Sequence, residues 1–156
     1  MARRNQTSAG LLAFRRRPEI EVLLAHPGGP FWAKRDAGAW TIPKGLLDGA
    51  DDLLATAQRE FAEETGFVAH GPFLPLHPVR QKSGKSVHAW AFEADFDAAA
   101  FTSNFFEMEW PPRTGRLTKF PEVDRLEWFS FGPATEKILE YQRPFLLELR
   151  EMLTGA

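Results

Sequence analysis

The sequence predicts an α/β (α+β) domain in which a mixed sheet is packed between helices. Three features lead there. Apolar runs of strand length open the chain, a segment of helical periodicity follows near its middle, and further strand-like runs precede an amphipathic stretch at the end. With 156 residues, 44% of them hydrophobic and 26% charged, the chain can bury a substantial core, and residues 1–156 are expected to form a single domain.

The elements follow in order. Residues 7–15 and 20–26 are apolar runs separated by Arg-Arg-Pro and are expected to be strands. Pro27-Gly28-Gly29-Pro30 then forces a loop, because neither residue type sustains a strand. A further short strand is expected at 40–42. From 52 to 65 the period changes: Leu53, Leu54, Ala57 and Phe61 share one helical face, Asp52 is a candidate N-cap and Gly66 a candidate terminator. Residues 76–82 and 86–95 flank Ser83-Gly84-Lys85 and predict a hairpin. A strand is expected at 126–131. The last segment is helical, with Phe145, Leu146, Leu149, Met152 and Leu153 on one side.

Composition narrows function. There is no cysteine, so disulfides, thiolate metal sites and cysteine nucleophiles are excluded, and a reducing, cytoplasmic setting is expected. The N-terminal apolar stretch at 9–14 is shorter than a signal-peptide core or a membrane span, so no membrane partner is expected. A formal net charge of −2 gives no general attraction to nucleic acid, although Arg3, Arg4 and the run Arg15 to Arg17 make the start locally basic. Gly84-Lys85-Ser86 lacks the earlier glycine a phosphate-binding P-loop needs, Val79 standing there. His26, His70, His77 and His88 have no metal-ligand spacing and are expected to be hydrogen-bonded structural residues.

The chemistry is concentrated on the predicted helix. Glu60, Glu63 and Glu64 stand at i, i+3 and i+4, which crowds three carboxylates onto one face and costs about 0.2–0.5 kcal/mol per like-charged pair. A hard divalent cation compensates such crowding, and oxygen ligands suit Mg²⁺ or Mn²⁺. Arg59 relieves part of the repulsion.

The spacing around this cluster resembles the Nudix box, G-x5-E-x7-R-E-U-x-E-E-x-G-U with U a bulky apolar residue. Gly45, Arg59, Glu60, Phe61, Glu63, Glu64, Gly66 and Phe67 fall in register over 45–67, and Asp51 stands where the pattern has its first glutamate. Trp40 to Gly45 and Leu126-Glu-Trp-Phe129 resemble the strands that flank the box. The resemblance implies the Nudix α/β/α sandwich and a metal-dependent pyrophosphohydrolase acting on a small-molecule nucleotide. It implies that Gly45, Glu60, Glu63 and Glu64 form the metal site, that Arg59 orients the box by pairing with its first acid, here Asp51, and that the general base is Glu64 or the later Glu122. Glu107 and Glu109 are more distant candidates. Lys34, Arg35, Lys44, Arg80 and Lys82 are candidate substrate contacts, as is Lys85, with aromatic residues such as Phe31 and Trp32 available to stack on a base. Many relatives are dimers, so a homodimer is an expectation. The substrate remains open among nucleoside triphosphates, dinucleoside polyphosphates, sugar nucleotides and coenzymes. A catalytically weak nucleotide sensor and an RNA 5′-end pyrophosphohydrolase are the alternatives.

Overall fold

The structure, a computed structural model, describes residues 6–49 and 52–155. The chain opens with the antiparallel strands β1 (Thr7–Arg17) and β2 (Glu19–Pro27), with Phe14 opposite Val22. The short β3 (Lys44–Leu46) pairs with the start of β1 and leads to helix α1 (Leu53–Thr65). β4 (Leu74–Pro75), β5 (Val79–Arg80) and β6 (Ser86–Glu93) follow, β6 lying parallel to β1. A separate hairpin, β7 (Phe105–Glu109) and β8 (Leu117–Pro121), precedes β9 (Val123–Ser130). Helices α2 (Phe131–Lys137) and α3 (Arg143–Thr154) close the chain.

The main sheet runs β4-β6-β1-β2-β9, with β3 attached to β1 and β5 to β6. One parallel pair among antiparallel ones makes it mixed. Residues Ser8 to Phe14 of β1 are all buried, the mark of a strand covered on both faces. Alternation survives within that run. Leu12 and Phe14 join Val22, Leu24, Trp40, Ile138, Phe145 and Leu149 under α2 and α3, whereas Leu11 and Ala13 join Leu23, Ala25, Ala57 and Phe61 under α1. The result is an α/β/α sandwich in which α1 covers one face and β3 lies in the sheet.

Helix α1 forms as its sequence predicts. Asp52 accepts the Ala55 N–H at 2.9 Å, and Gly66 adopts φ 79°, a left-handed conformation that glycine enters without a Cβ clash. Ala57 and Phe61 are fully buried.

Four expectations need correction. Residues 40–42 make only isolated bridges, Ala25 with Thr41 and Trp40 with Ile138, and the strand begins after Pro43 instead. The first arm of the 76–95 hairpin is two short pieces paired to β6, since Pro75 and Pro78 have no N–H to donate to a ladder. Phe131 ends no strand; it opens α2, whose Pro133 falls in the first turn, where a missing N–H costs nothing. Met152 is 45% exposed rather than packed with Phe145, Leu146 and Leu149. Among the described residues no helix is long and apolar enough to cross a membrane.

Candidate active site

The site is built where α1 passes β3 and the strand β9 begins. Gly45 lies beneath the Glu60 carboxylate so closely that a Cβ would overlap the carboxyl carbon and both oxygens. Arg59 Nη1 donates to Glu60 Oε1 at 3.2 Å and to Glu63 Oε1 at 3.4 Å. Asp51, the expected partner of Arg59, lies outside the described residues.

Glu122 approaches from another element. Its N–H donates to the Asn104 carbonyl at 2.8 Å, Asn104 N–H donates to the Glu63 carbonyl at 2.9 Å, and the Glu122 carbonyl accepts Gly28 N–H at 3.0 Å. Asn104 therefore ties the backbone of α1 to the loop carrying Glu122. Glu64 and Glu122 line one cavity of about 260 Å³ together with Lys44, and its remaining wall is Pro27, Trp32, Thr41, Ile42, Val123 and Leu139. A polar end thus meets a mostly apolar one, as in a pocket for a flat organic group carrying an anionic tail.

The electrostatics mark the same acids. Burial pushes the Glu64 carboxyl well above the ordinary carboxylate range, and the charges of Glu60 and Glu122 add to this against Lys44, whose ammonium and backbone N–H oppose it. Glu60 is raised by burial and then by Glu63, with Arg59 pulling the other way. Glu122 is raised by loss of solvent and by Glu63. Three acids raised together form a region short of positive charge.

That donor set fits a divalent cation of the magnesium type. The candidate donors, Glu60, Glu63 and Glu64, are carboxylates on one helix face, and among the described residues no three acids or imidazoles close around a point. Such an ion takes one or two protein carboxylates and completes its shell with water and substrate phosphates, so it does not need a closed protein cage.

Other expected residues fall elsewhere. Lys34 is exposed, and Arg35 is also exposed but has its guanidinium 5.5 Å from the Trp32 ring centre, so it backs a wall of the cavity. Arg80 and Lys82 are exposed and line neither this cavity nor its neighbour. Glu107 and Glu109 sit on β7, and Glu109 accepts Arg113 N–H at 2.7 Å. Phe31 is 65% exposed and meets Trp110 edge-on. His26 is fully buried, its Nδ1 2.7 Å from Asp124 Oδ1 and its Nε2 2.6 Å from the Arg35 carbonyl, a hydrogen-bonded structural histidine as expected.

The sequence did not disclose Thr41, Leu139 or Gln142. Gln142 is buried, and its Oε1 accepts Ile42 N–H at 3.1 Å while its Nε2 donates to Thr41 Oγ1 at 2.9 Å, so the back of the cavity is set by residues about a hundred positions apart. No local pattern carries that information.

A mixed sheet between helices, with an arginine and glutamates on one helix facing a strand glycine, defines a Nudix-type domain. The NUDIX domain profile matches residues 4–149, and the chain belongs to the Nudix hydrolase family. A segment of 58 residues is 42% identical to an RNA pyrophosphohydrolase of Caulobacter vibrioides, covering 34% of this chain and 34% of that protein. The chain thus matches about a third of that relative's length. An uncharacterised 17.7 kDa protein of Enterobacteria phage T4 is 27% identical over 111 residues, 66% of this chain and 74% of that one. Among solved structures, a Caenorhabditis elegans Ap4A hydrolase binary complex superposes with TM-score 0.66 at 22% identity, covering 96% of this chain and 99% of that one. The NUDIX domain of Shewanella oneidensis NrtR, complexed with ADP ribose, gives 0.68 at 19% identity, covering 98% and 91%. These likenesses establish a shared fold.

Proposed function

We propose that this chain hydrolyses the diphosphate linkage of a nucleotide, with Glu60, Glu63 and Glu64 holding Mg²⁺ or Mn²⁺. The observation that carries the reading is the single cavity in which Glu64, Glu122 and Lys44 face an apolar wall containing Trp32 and Leu139. A nucleoside base fits against Trp32 and Leu139, and the diphosphate then points to Lys44 and the acids.

Each residue has a task in that arrangement. When bound, a divalent cation neutralises phosphate charge and makes water a better nucleophile at phosphorus. Lys44 holds a phosphate oxygen. Arg59 keeps Glu60 and Glu63 oriented through its two contacts. Glu122 takes the proton of the attacking water: it lines the cavity from outside α1, and desolvation, with the charge of Glu63, raises its proton affinity. The leaving group departs as a phosphorylated fragment. The absence of cysteine supports a cytoplasmic setting.

The test is release of phosphorylated products from nucleoside triphosphates, dinucleoside polyphosphates, sugar nucleotides and coenzymes, with and without Mg²⁺ or Mn²⁺, for the parent, Glu63→Gln and Glu64→Gln. Metal-dependent turnover that falls by orders of magnitude in the variants is expected. Nucleotide binding without turnover would instead make the chain a sensor. A second reading, removal of diphosphate from the 5′ end of RNA, is favoured by the match to the Caulobacter RNA pyrophosphohydrolase, so a 5′-triphosphorylated RNA belongs in the same panel.

A further inference from the structure

A second cavity, of about 210 Å³, opens on the other side of Lys44 and belongs to no part of the reading above. Its polar lining is Gln6, Ser8, Lys44, Gln81 and Lys85, and Gly45 forms the border with the Glu60 carboxylate. Lys44 is common to both cavities, so its ammonium can serve an anion in either one.

The lining chooses the ligand. Among the described residues no carboxylate and no aromatic ring lines this space, so it offers hydrogen-bond donors and positive charge without a stacking surface. It has room for about seven water volumes. The hairpin tip is also fixed in advance. Gln81 N–H donates to the Lys85 carbonyl at 2.7 Å and Gly84 N–H to the Gln81 carbonyl at 3.0 Å, a tight turn that holds Gln81 and Lys85 on one rim. Ser8 is registered on the opposite side, between Leu46 of β3 and Val87 of β6. Lys85 makes no ion pair among the described residues, whereas the Lys44 ammonium acts on Glu64 as well.

We propose that this cavity is an anion subsite for the phosphate chain lying beyond the cleaved linkage, which makes the preferred substrate a nucleoside polyphosphate rather than a nucleotide sugar with an uncharged second end. The inference rests on the hydrolase reading for the position of the cleaved bond. Lys85 and Lys44 neutralise the distal phosphates, and the Gln81 and Gln6 amides together with the Ser8 hydroxyl complete their hydrogen bonding.

The experiment has a kinetic arm and a binding arm. In the first, KM is measured for adenosine tetraphosphate and for ADP-glucose with the parent, Lys85→Ala and Lys82→Ala. Lys82 is on the same hairpin but outside both cavities. In Lys85→Ala the ratio of the two KM values is expected to move about tenfold against the polyphosphate, and to hold in Lys82→Ala. Equal changes for both substrates, or equal changes in both variants, would overturn the subsite. In the second arm, calorimetry with inorganic tripolyphosphate in metal-free buffer reads the same cavity without any turnover. Lys85→Ala is expected to weaken binding about tenfold and to flatten its dependence on ionic strength. An unchanged Kd removes the proposal even if the chain proves an active hydrolase. Absent turnover with a weakened Kd would instead remove the hydrolase reading and leave the anion site.

Discussion

Gly45 is the floor on which the Glu60 carboxylate rests, with no space for a Cβ between them. The strand β3 and the helix α1 thereby set the depth of that acid in the site. In Gly45→Ala the methyl group must displace the Glu60 side chain, because the competing movement would break the pairing of Gly45 with Ala9 in the sheet. Turnover is expected to fall by about 10²-fold, the scale of a misplaced catalytic geometry, and the titration of activity with Mg²⁺ or Mn²⁺ to shift to higher concentration. Unchanged metal dependence in a folded Gly45→Ala chain would show that the position of Glu60 is not critical.

Glu122 is positioned through its backbone by Asn104 and Gly28, so replacing the carboxylate leaves its scaffold in place. Glu122→Gln is expected to lower kcat by about 10²–10⁴-fold, the range of a lost general base, with little change in melting temperature. If kcat is preserved at saturating metal, Glu122 is not the proton acceptor.

How much of this was legible beforehand depends on the range of the contacts. Helix α1, with its cap Asp52, its terminator Gly66 and its buried Ala57 and Phe61, was readable because every determinant lies within a few positions. The acid cluster was readable for the same reason. The β7–β8 hairpin and α2 were not: Phe131-Gly132-Pro133 has the composition of a break, and only packing of Ala134 and Ile138 into the core shows that it starts a helix. The cavity's rear wall stayed hidden because Gln142 meets Thr41 and Ile42 across about a hundred residues. Basic residues near a site are also poor guides in sequence. Lys44 and Lys85 reach cavities, whereas Arg80 and Lys82 on the same hairpin as Lys85 do not.

Asp36 gives a pH prediction. Its carboxylate accepts from Lys137 and from Trp40 Nε1, the latter at 2.9 Å, and these bonds, Lys137 first, hold it below the ordinary carboxylate range. A depressed folded value stabilises the fold above the unfolded pKa, and that contribution disappears as pH falls through the folded one. The parent should therefore melt above Asp36→Asn at neutral pH, with the gap closing only in acid below the usual aspartate range. A gap independent of pH would mean that the substitution acts by packing alone.

Thr56 is the remaining anomaly on α1. It is 1% exposed, and its hydroxyl has no hydrogen-bond partner among the described residues, although its N–H is used normally by the Asp52 carbonyl at 3.0 Å. A buried hydroxyl without a partner costs about 1–3 kcal/mol. Valine has the same branched shape and a similar helix propensity, so Thr56→Val removes that penalty and leaves the buried space filled. The expected gain of about 1 kcal/mol raises the melting temperature by about 2–4 °C in a chain of this size. Thr56→Ser keeps the orphaned hydroxyl and deletes a buried methyl group, so it should melt below the parent. Thermal unfolding of the pair decides the matter: if the valine chain melts lower than the parent, the hydroxyl has a partner after all, and the helix is anchored there by a polar contact rather than burdened by one.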